Sequence, residues 1–171
     1  MVPPDRAAAL FTQYHEPLVR FLTRQTGDRD AAEEIAQETF VRALQQDVIT
    51  SERSWIFAVA MNLVRDAARK EVRRARRLEM VRRESEDAQA SPASDALERG
   101  VERAAARRAL DNLAERDRDA LLMREEGLSY DEIAAALDLS VGSVGTTLSR
   151  ARRRLMEAYE ALQVERGPDP A

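Results

Sequence analysis

Residues 129–155, SYDEIAAALDLSVGSVGTTLSRARRRL, leave this chain less conformational freedom than any other stretch. Ser129 is followed three residues later by Glu132, the spacing of a capping box. There a Ser hydroxyl and a Glu carboxylate satisfy each other's backbone N–H groups at a helix start. The helix this opens is short and buries Ile133, Ala134 and Leu137. Asp138 then falls where the chain has to turn sharply, and Asp tolerates the left-handed conformation better than most residues. Ser140 caps the next helix, on which Val144, Leu148, Ala151 and Leu155 recur at steps of four, three and four. Two short helices joined by so tight a turn form a helix-turn-helix.

The second of these helices is built from poor material. Gly142 and Gly145 each cost about 1 kcal/mol relative to Ala, and Ser143, Thr146, Thr147 and Ser149 are mediocre helix formers. With the apolar stripe inward, Ser143, Thr146, Ser149, Arg150 and Arg153 face outward. A recognition helix enters the DNA major groove with its N-terminal residues nearest the base edges. Small side chains let the backbone approach, and Ser and Thr both donate and accept. Arginines further along suit phosphates or a guanine edge. Helix propensity is given up at the contact surface. The other reading is that the two glycines permit close helix–helix packing.

The remainder reads as helix throughout. No segment alternates with period two and β-branched enrichment, aromatics are only 5% and charged residues 34%, so the fold class is all-α. Two small helical domains are expected, over 5–83 and 95–162, with a flexible linker at 84–94 and a disordered tail at 163–171. The linker, ESEDAQASPAS, has almost nothing to bury. In the first domain a helix over about 5–26 carries Leu10, Phe11, Tyr14, Leu18, Phe21 and Leu22, with a kink or break near Glu16 imposed by Pro17. A second, about 30–45, points Ile35, Phe40, Val41 and Leu44 inward. A third opens near Ser54, begins intensely apolar and turns basic through Arg83. The second domain has helices at about 95–113, 116–126, 129–137 and 140–162.

The net charge of −4 hides blocks of opposite sign. Residues 65–83 hold nine basic and three acidic side chains, and 140–155 hold four Arg and no acid. Residues 28–38 hold five acids against one Arg, and 84–98 five acids and no base. Unlike faces suit unlike partners. An enzyme is not expected. His15 is the only histidine, placed as a structural residue; there is no Cys, no nucleophile elbow and no phosphate-cradling glycine loop. No metal-ligand set stands out and no cofactor is implied. No signal peptide and no apolar run approaching 18 residues is present, so a cytoplasmic protein without membrane insertion is expected.

Residues 111–155, DNLAERDRDALLMREEGLSYDEIAAALDLSVGSVGTTLSRARRRL preceded by Leu110, resemble region 4 of bacterial sigma factors, in the extracytoplasmic-function group of the sigma-70 family. DRDAAEEIAQETFVRAL, 28–44, resembles region 2.2, and SWIFAVAMNLVRDAARKEVRRARR, 54–77, resembles regions 2.3 and 2.4. The three stand in the family's order, over about 7–158. The resemblance implies an alternative sigma factor that binds core RNA polymerase, through the β′ coiled coil and the β subunit, and directs promoter-specific initiation. Glu34, Gln37 and Glu38, at i, i+3 and i+4 on one helical face, would dock on polymerase. Thr50, Ser51, Ser54, Trp55, Asn62, Arg65, Arg69 and Arg73 would serve the promoter −10 element. Asn62 is an amide among apolar residues that needs a partner or an opening to solvent. The loop before the helix and Asn62 would form a pocket for a flipped base, and the arginines would hold the backbone. Trp55 stacks on a base or belongs to the core. Ser143, Thr146, Ser149, Arg150 and Arg153 would read the −35 element. The family usually has Lys and Arg where this chain has Gly145 and Thr147, a departure that removes two cations from the expected DNA face. An anti-sigma protein is a further implied partner, which could hold the chain at the membrane. Two other functions remain open: a sigma mimic that sequesters an anti-sigma factor, and a helix-turn-helix repressor.

Overall fold

The computed structural model describes residues 3–82 and 99–165; among these the chain forms seven helices and no strand. The expected linker at 84–94 and residues 166–171 of the tail lie outside the described residues. The helices are α1 (Pro4–Thr26), α2 (Arg29–Leu44), α3 (Glu52–Arg82), α4 (Arg99–Asp111), α5 (Glu115–Glu125), α6 (Tyr130–Leu137) and α7 (Val141–Glu165). None of the described helices is long and apolar enough to cross a membrane.

Local chemistry accounts for the ends. Gly27 closes α1 in the left-handed region at φ 75°, its N–H donating to the Thr23 carbonyl at 2.8 Å. Asp28 opens α2, its carboxylate accepting from the N–H groups of Asp30 (2.9 Å) and Ala31 (3.3 Å). The capping box of α6 is present in both directions: Ser129 Oγ accepts from Glu132 N at 3.2 Å, and Glu132 Oε2 accepts from Ser129 N at 2.7 Å. Asp138 takes the left-handed conformation, φ 53° and ψ 53°, as the turn demands.

Three expectations about the helices are corrected. Helix α1 runs through Pro17, so the break that was one of the two expectations near Glu16 does not occur. An interior proline costs a helix about 3 kcal/mol, but Leu10, Leu18, Val19, Phe21 and Leu22 on both sides of it are buried and hold the two halves in register. In α2, Val41 and Leu44 point outward, 47% and 40% exposed. The inward stripe is instead Ala32, Ala36, Thr39, Phe40 and Ala43, small residues that let α2 lie close on α1. Thr39, fully buried, satisfies its hydroxyl on the Ile35 carbonyl at 2.8 Å. Third, residues 163–165, expected in the disordered tail, continue α7.

The two helical units pack directly on each other, α3 along α6 and α1 against α5. One apolar core runs through both: Leu18, Phe21, Leu22, Ile56, Phe57 and Met61 join Met123, Leu128, Ile133 and Leu148. Phe21 and Phe57 meet edge-on with centroids 5.0 Å apart. A smaller cluster, Leu113, Leu121 and Ala151, fastens α5 to α7. His15 packs structurally, stacked on Phe11 at 4.4 Å with Nε2 3.2 Å from Glu33.

Candidate nucleic-acid interface

On α2, Glu34, Gln37 and Glu38 are all exposed. Glu38 accepts from Arg42 Nε at 2.9 Å, a helix-surface pair that leaves its other oxygen to solvent. Val41 and Leu44 continue the same face at the next helical steps. The surface is therefore acidic with an apolar end, a composition that sequence reading missed by turning those two residues inward.

The residues around the start of α3 divide. Thr50 and Ser51 are exposed, while Ser54 is 3% exposed and accepts the Ser51 hydroxyl at 3.1 Å. Trp55 is half-buried against the core. Asn62 resolves the puzzle of an amide among apolar neighbours: it is exposed, and its Oδ1 accepts from Arg65 Nη1 at 3.4 Å. Arg69 pairs locally with Asp66 at 3.2 Å, and Arg73 is exposed. Arg65 behaves differently. Its Nε donates to Glu115 and its Nη2 to Asp119 Oδ2 at 2.9 Å, both on α5. Asp119 is wholly buried and also accepts from Gln25 Nε2 at 2.8 Å. Burial pushes its carboxyl above the ordinary value of 3.8, against the opposing pull of Gln25 and Arg65.

On α7, Val144, Leu148 and Ala151 are fully buried, as the periodicity predicted. Thr146 and Ser149 are exposed; Ser143 is half-buried, its hydroxyl donating to the Ser140 carbonyl at 2.8 Å. Arg153 is exposed, 3.7 Å from Glu157. Thr147 is only 5% exposed, so the expectation that it lies on the outer face is corrected. Residue 147 stands one helical step from Val144 and Ala151 and shares their inward side. Of the two glycines, Gly145 has the Tyr130 ring 3.6 Å from where a Cβ would stand, and Gly142 has nothing within 4 Å. Close packing therefore does not account for Gly142.

Arg150 is already held. Its Nε donates to Asp117 Oδ2 at 2.9 Å and its Nη2 to Oδ1, a two-pronged pair, and Arg154 Nη1 reaches the same carboxylate at 3.4 Å. Asp117 is 1% exposed. The Arg150 bonds hold its carboxyl below the ordinary 3.8 despite burial, which pulls the other way. Asp117, Asp119 and Glu115 were not foreseen as part of either site. The signal was present for one of them: helical spacing sets Asp119 on the face of Leu122, Met123 and Glu126, and an acid there must find a partner. Among the described residues no three His, Asp or Glu side chains gather to hold a metal ion.

Residues 10–74 match the family described as Sigma-70 region 2, and 103–155 match Sigma-70, region 4. RNA polymerase sigma factor YlaC of Bacillus subtilis (strain 168) is 31% identical over 158 residues, 88% of this chain and 90% of the relative. ECF RNA polymerase sigma factor SigL of Mycobacterium tuberculosis (strain H37Rv) is 32% identical over 168 residues, 92% and 91% of the two chains. The solved structure of CnrH in complex with the cytosolic domain of CnrY superposes with a TM-score of 0.65 at 25% identity, over 93% of this chain and 90% of the other. The sigma factor RpoE in complex with the anti-sigma factor NepR from Bartonella quintana has the same fold, TM-score 0.63 at 22% identity, over 88% and 94%. With both regions matched in order and relatives aligned along nearly their whole length, the chain belongs to the sigma-70 family, as an extracytoplasmic-function RNA polymerase sigma factor.

Proposed function

We propose that the chain binds core RNA polymerase through the α2 face, engages the −35 element in the major groove with α7, and serves the −10 element with α3 and the loop before it. The observation that carries this reading is the outward display of unlike chemistries on separate helices. Glu34, Gln37 and Glu38 with Val41 and Leu44 form one, and Thr146, Ser149 and Arg153 form another. An acidic face with apolar residues at its end fits a basic, partly apolar protein surface. A face of small hydroxyl residues and arginine fits a DNA groove. The exposed amide of Asn62 is available to a base edge. Arg150 enters the −35 surface through its partly exposed side chain, 39% accessible even while paired to Asp117.

An anti-sigma protein is the further proposed partner, by analogy with the two solved complexes, one of a sigma factor with the anti-sigma factor NepR and one of CnrH with the cytosolic domain of CnrY. The chain would then work in the cytoplasm, free or tethered through that partner. In vitro transcription with purified core enzyme on a randomised promoter library tests the reading. Initiation at selected −35 and −10 sequences supports it and yields the specificity. Core binding without initiation favours a sigma mimic, and duplex binding without core binding favours a repressor.

A further inference from the structure

We propose that Tyr130, at the start of α6, is a specificity-determining residue of the −35 surface: its ring stands in for the side chain that Gly145 lacks and reads the major-groove edge of a thymine. The inference rests on the proposed −35 role of α7 and names the base chemistry that this surface selects.

The first half of α7 has little with which to tell one base from another. Gly142, Thr146 and Ser149 are exposed, Gly145 is half-buried, and Thr147 is buried. Ser and Thr hydroxyls both donate and accept, so on their own they suit any base edge. Arg150, the first cation of the helix, is tied to the Asp117 carboxylate. Gly145 stands where the family resemblance leads one to expect a long cationic side chain.

Tyr130 supplies what α7 lacks. Its Cε2 lies 3.6 Å from where a Cβ on residue 145 would stand, so the ring occupies the space beside the fifth residue of α7. The side chain is 41% exposed. Its position is fixed from two directions. The Ser129–Glu132 capping box sets the start of α6, whose first residue is Tyr130. The Arg124 guanidinium stands 5.7 Å from the ring centroid and donates to the Leu128 carbonyl at 2.8 Å. Among the described residues, none hydrogen-bonds the Tyr130 hydroxyl.

An apolar ring that ends in a hydroxyl donor matches one base edge. In the major groove only thymine sets a methyl group beside an acceptor, its O4. Guanine offers two acceptors, which call for a two-pronged cation that residue 145 does not provide. The ring therefore packs on the thymine methyl while the hydroxyl donates to O4.

The test uses the full chain with core polymerase at limiting concentration, on a promoter the wild type selects, varied one base pair at a time across the −35 element. The wild type prefers a T·A pair at one position. Replacing that thymine by deoxyuridine, which removes only the methyl, lowers transcription about fourfold. Tyr130→Ala abolishes the preference and makes the same replacement neutral. Tyr130→Phe, which keeps the ring, retains the methyl effect and loses part of the preference. Both variants keep the wild-type urea midpoint, since the residue is exposed at a helix start. The inference is overturned if no T·A pair is preferred, or if deoxyuridine costs the wild type and Tyr130→Ala equally at every −35 thymine. A Tyr130→Ala loss that is uniform across −35 sequences also overturns it, because that marks a phosphate contact. If the wild type directs no initiation from any −35 sequence, the sigma reading itself fails; selective initiation indifferent to Tyr130 removes this inference alone.

Discussion

Replacing Asp117 by Asn tests how α7 is fixed and aimed. The side chain is 1% exposed and takes two hydrogen bonds from Arg150 and a longer one from Arg154. Breaking a fully buried ion pair costs about 3–5 kcal/mol. Here both arginine side chains reach solvent, 39% and 49% exposed, and Asn keeps one accepting oxygen, so the loss is smaller. A charged hydrogen bond is worth about 1.5–3 kcal/mol, and partial solvation reduces it, which leaves about 1–2 kcal/mol. For a two-unit chain with one shared core this lowers Tm by about 2–8 °C. The assay is a double-mutant cycle in urea: Asp117→Asn, Arg150→Ala and both together. A coupling of about 1 kcal/mol or more is expected, because the two residues act as a unit. The same substitution releases two cations on α7, the helix proposed to enter the groove. Binding to random duplex DNA therefore tightens, and its salt dependence steepens by about one unit for each new phosphate contact. Additive stability losses together with an unchanged salt slope would refute the assignment of Asp117 as the residue that holds and partly neutralises Arg150.

Glu34→Arg with Glu38→Arg leaves the urea midpoint nearly unchanged, since both side chains are exposed, and weakens capture by core polymerase in a pull-down; unaltered capture removes α2 from that interface. Gly142→Ala stabilises the chain by about 0.5–1 kcal/mol in thermal denaturation, because an added Cβ meets nothing within 4 Å; a −35 gel-shift that weakens at the same time identifies the glycine as a point of close DNA approach. Asn62→Ala impairs strand opening, read by permanganate reactivity, more than initial promoter binding, and equal effects on both count against a base pocket there. Acid acts through the two buried aspartates with opposite sign. Asp117, with its carboxyl lowered in the folded chain, contributes stability that is present above its ordinary 3.8 and lost as pH falls toward the folded value. Asp119, raised by burial, contributes stability present below 3.8 and lost as pH rises through its folded value. Asp117→Asn therefore flattens the loss of stability below about pH 4, whereas Asp119→Asn gains on the wild type as pH rises above about 4; denaturation midpoints across pH 3–7 read both.

Short-range chemistry settled what could be read from the amino-acid order. The all-α class, the Ser129–Glu132 capping box, the left-handed Asp138 and the inward stripe of Val144, Leu148 and Ala151 each depend on groups within a few residues of one another. The outward setting of Glu34, Gln37 and Glu38 also follows from one helix's periodicity once its buried side is known. That buried side was itself misjudged: large Val41 and Leu44 look more apolar than Ala32, Ala36 and Ala43. Only the approach of α1 decides that small residues pack there. Pro17 stayed helical for the same kind of reason. The pairing of arginines could not be read locally at all, because Arg150 meets Asp117 across 33 positions and Arg65 meets Asp119 across 54. Periodicity says which way a side chain points along its own helix. Which charge waits opposite depends on how the helices come together, and here that placed carboxylates on two of the cations the order of residues had assigned to DNA.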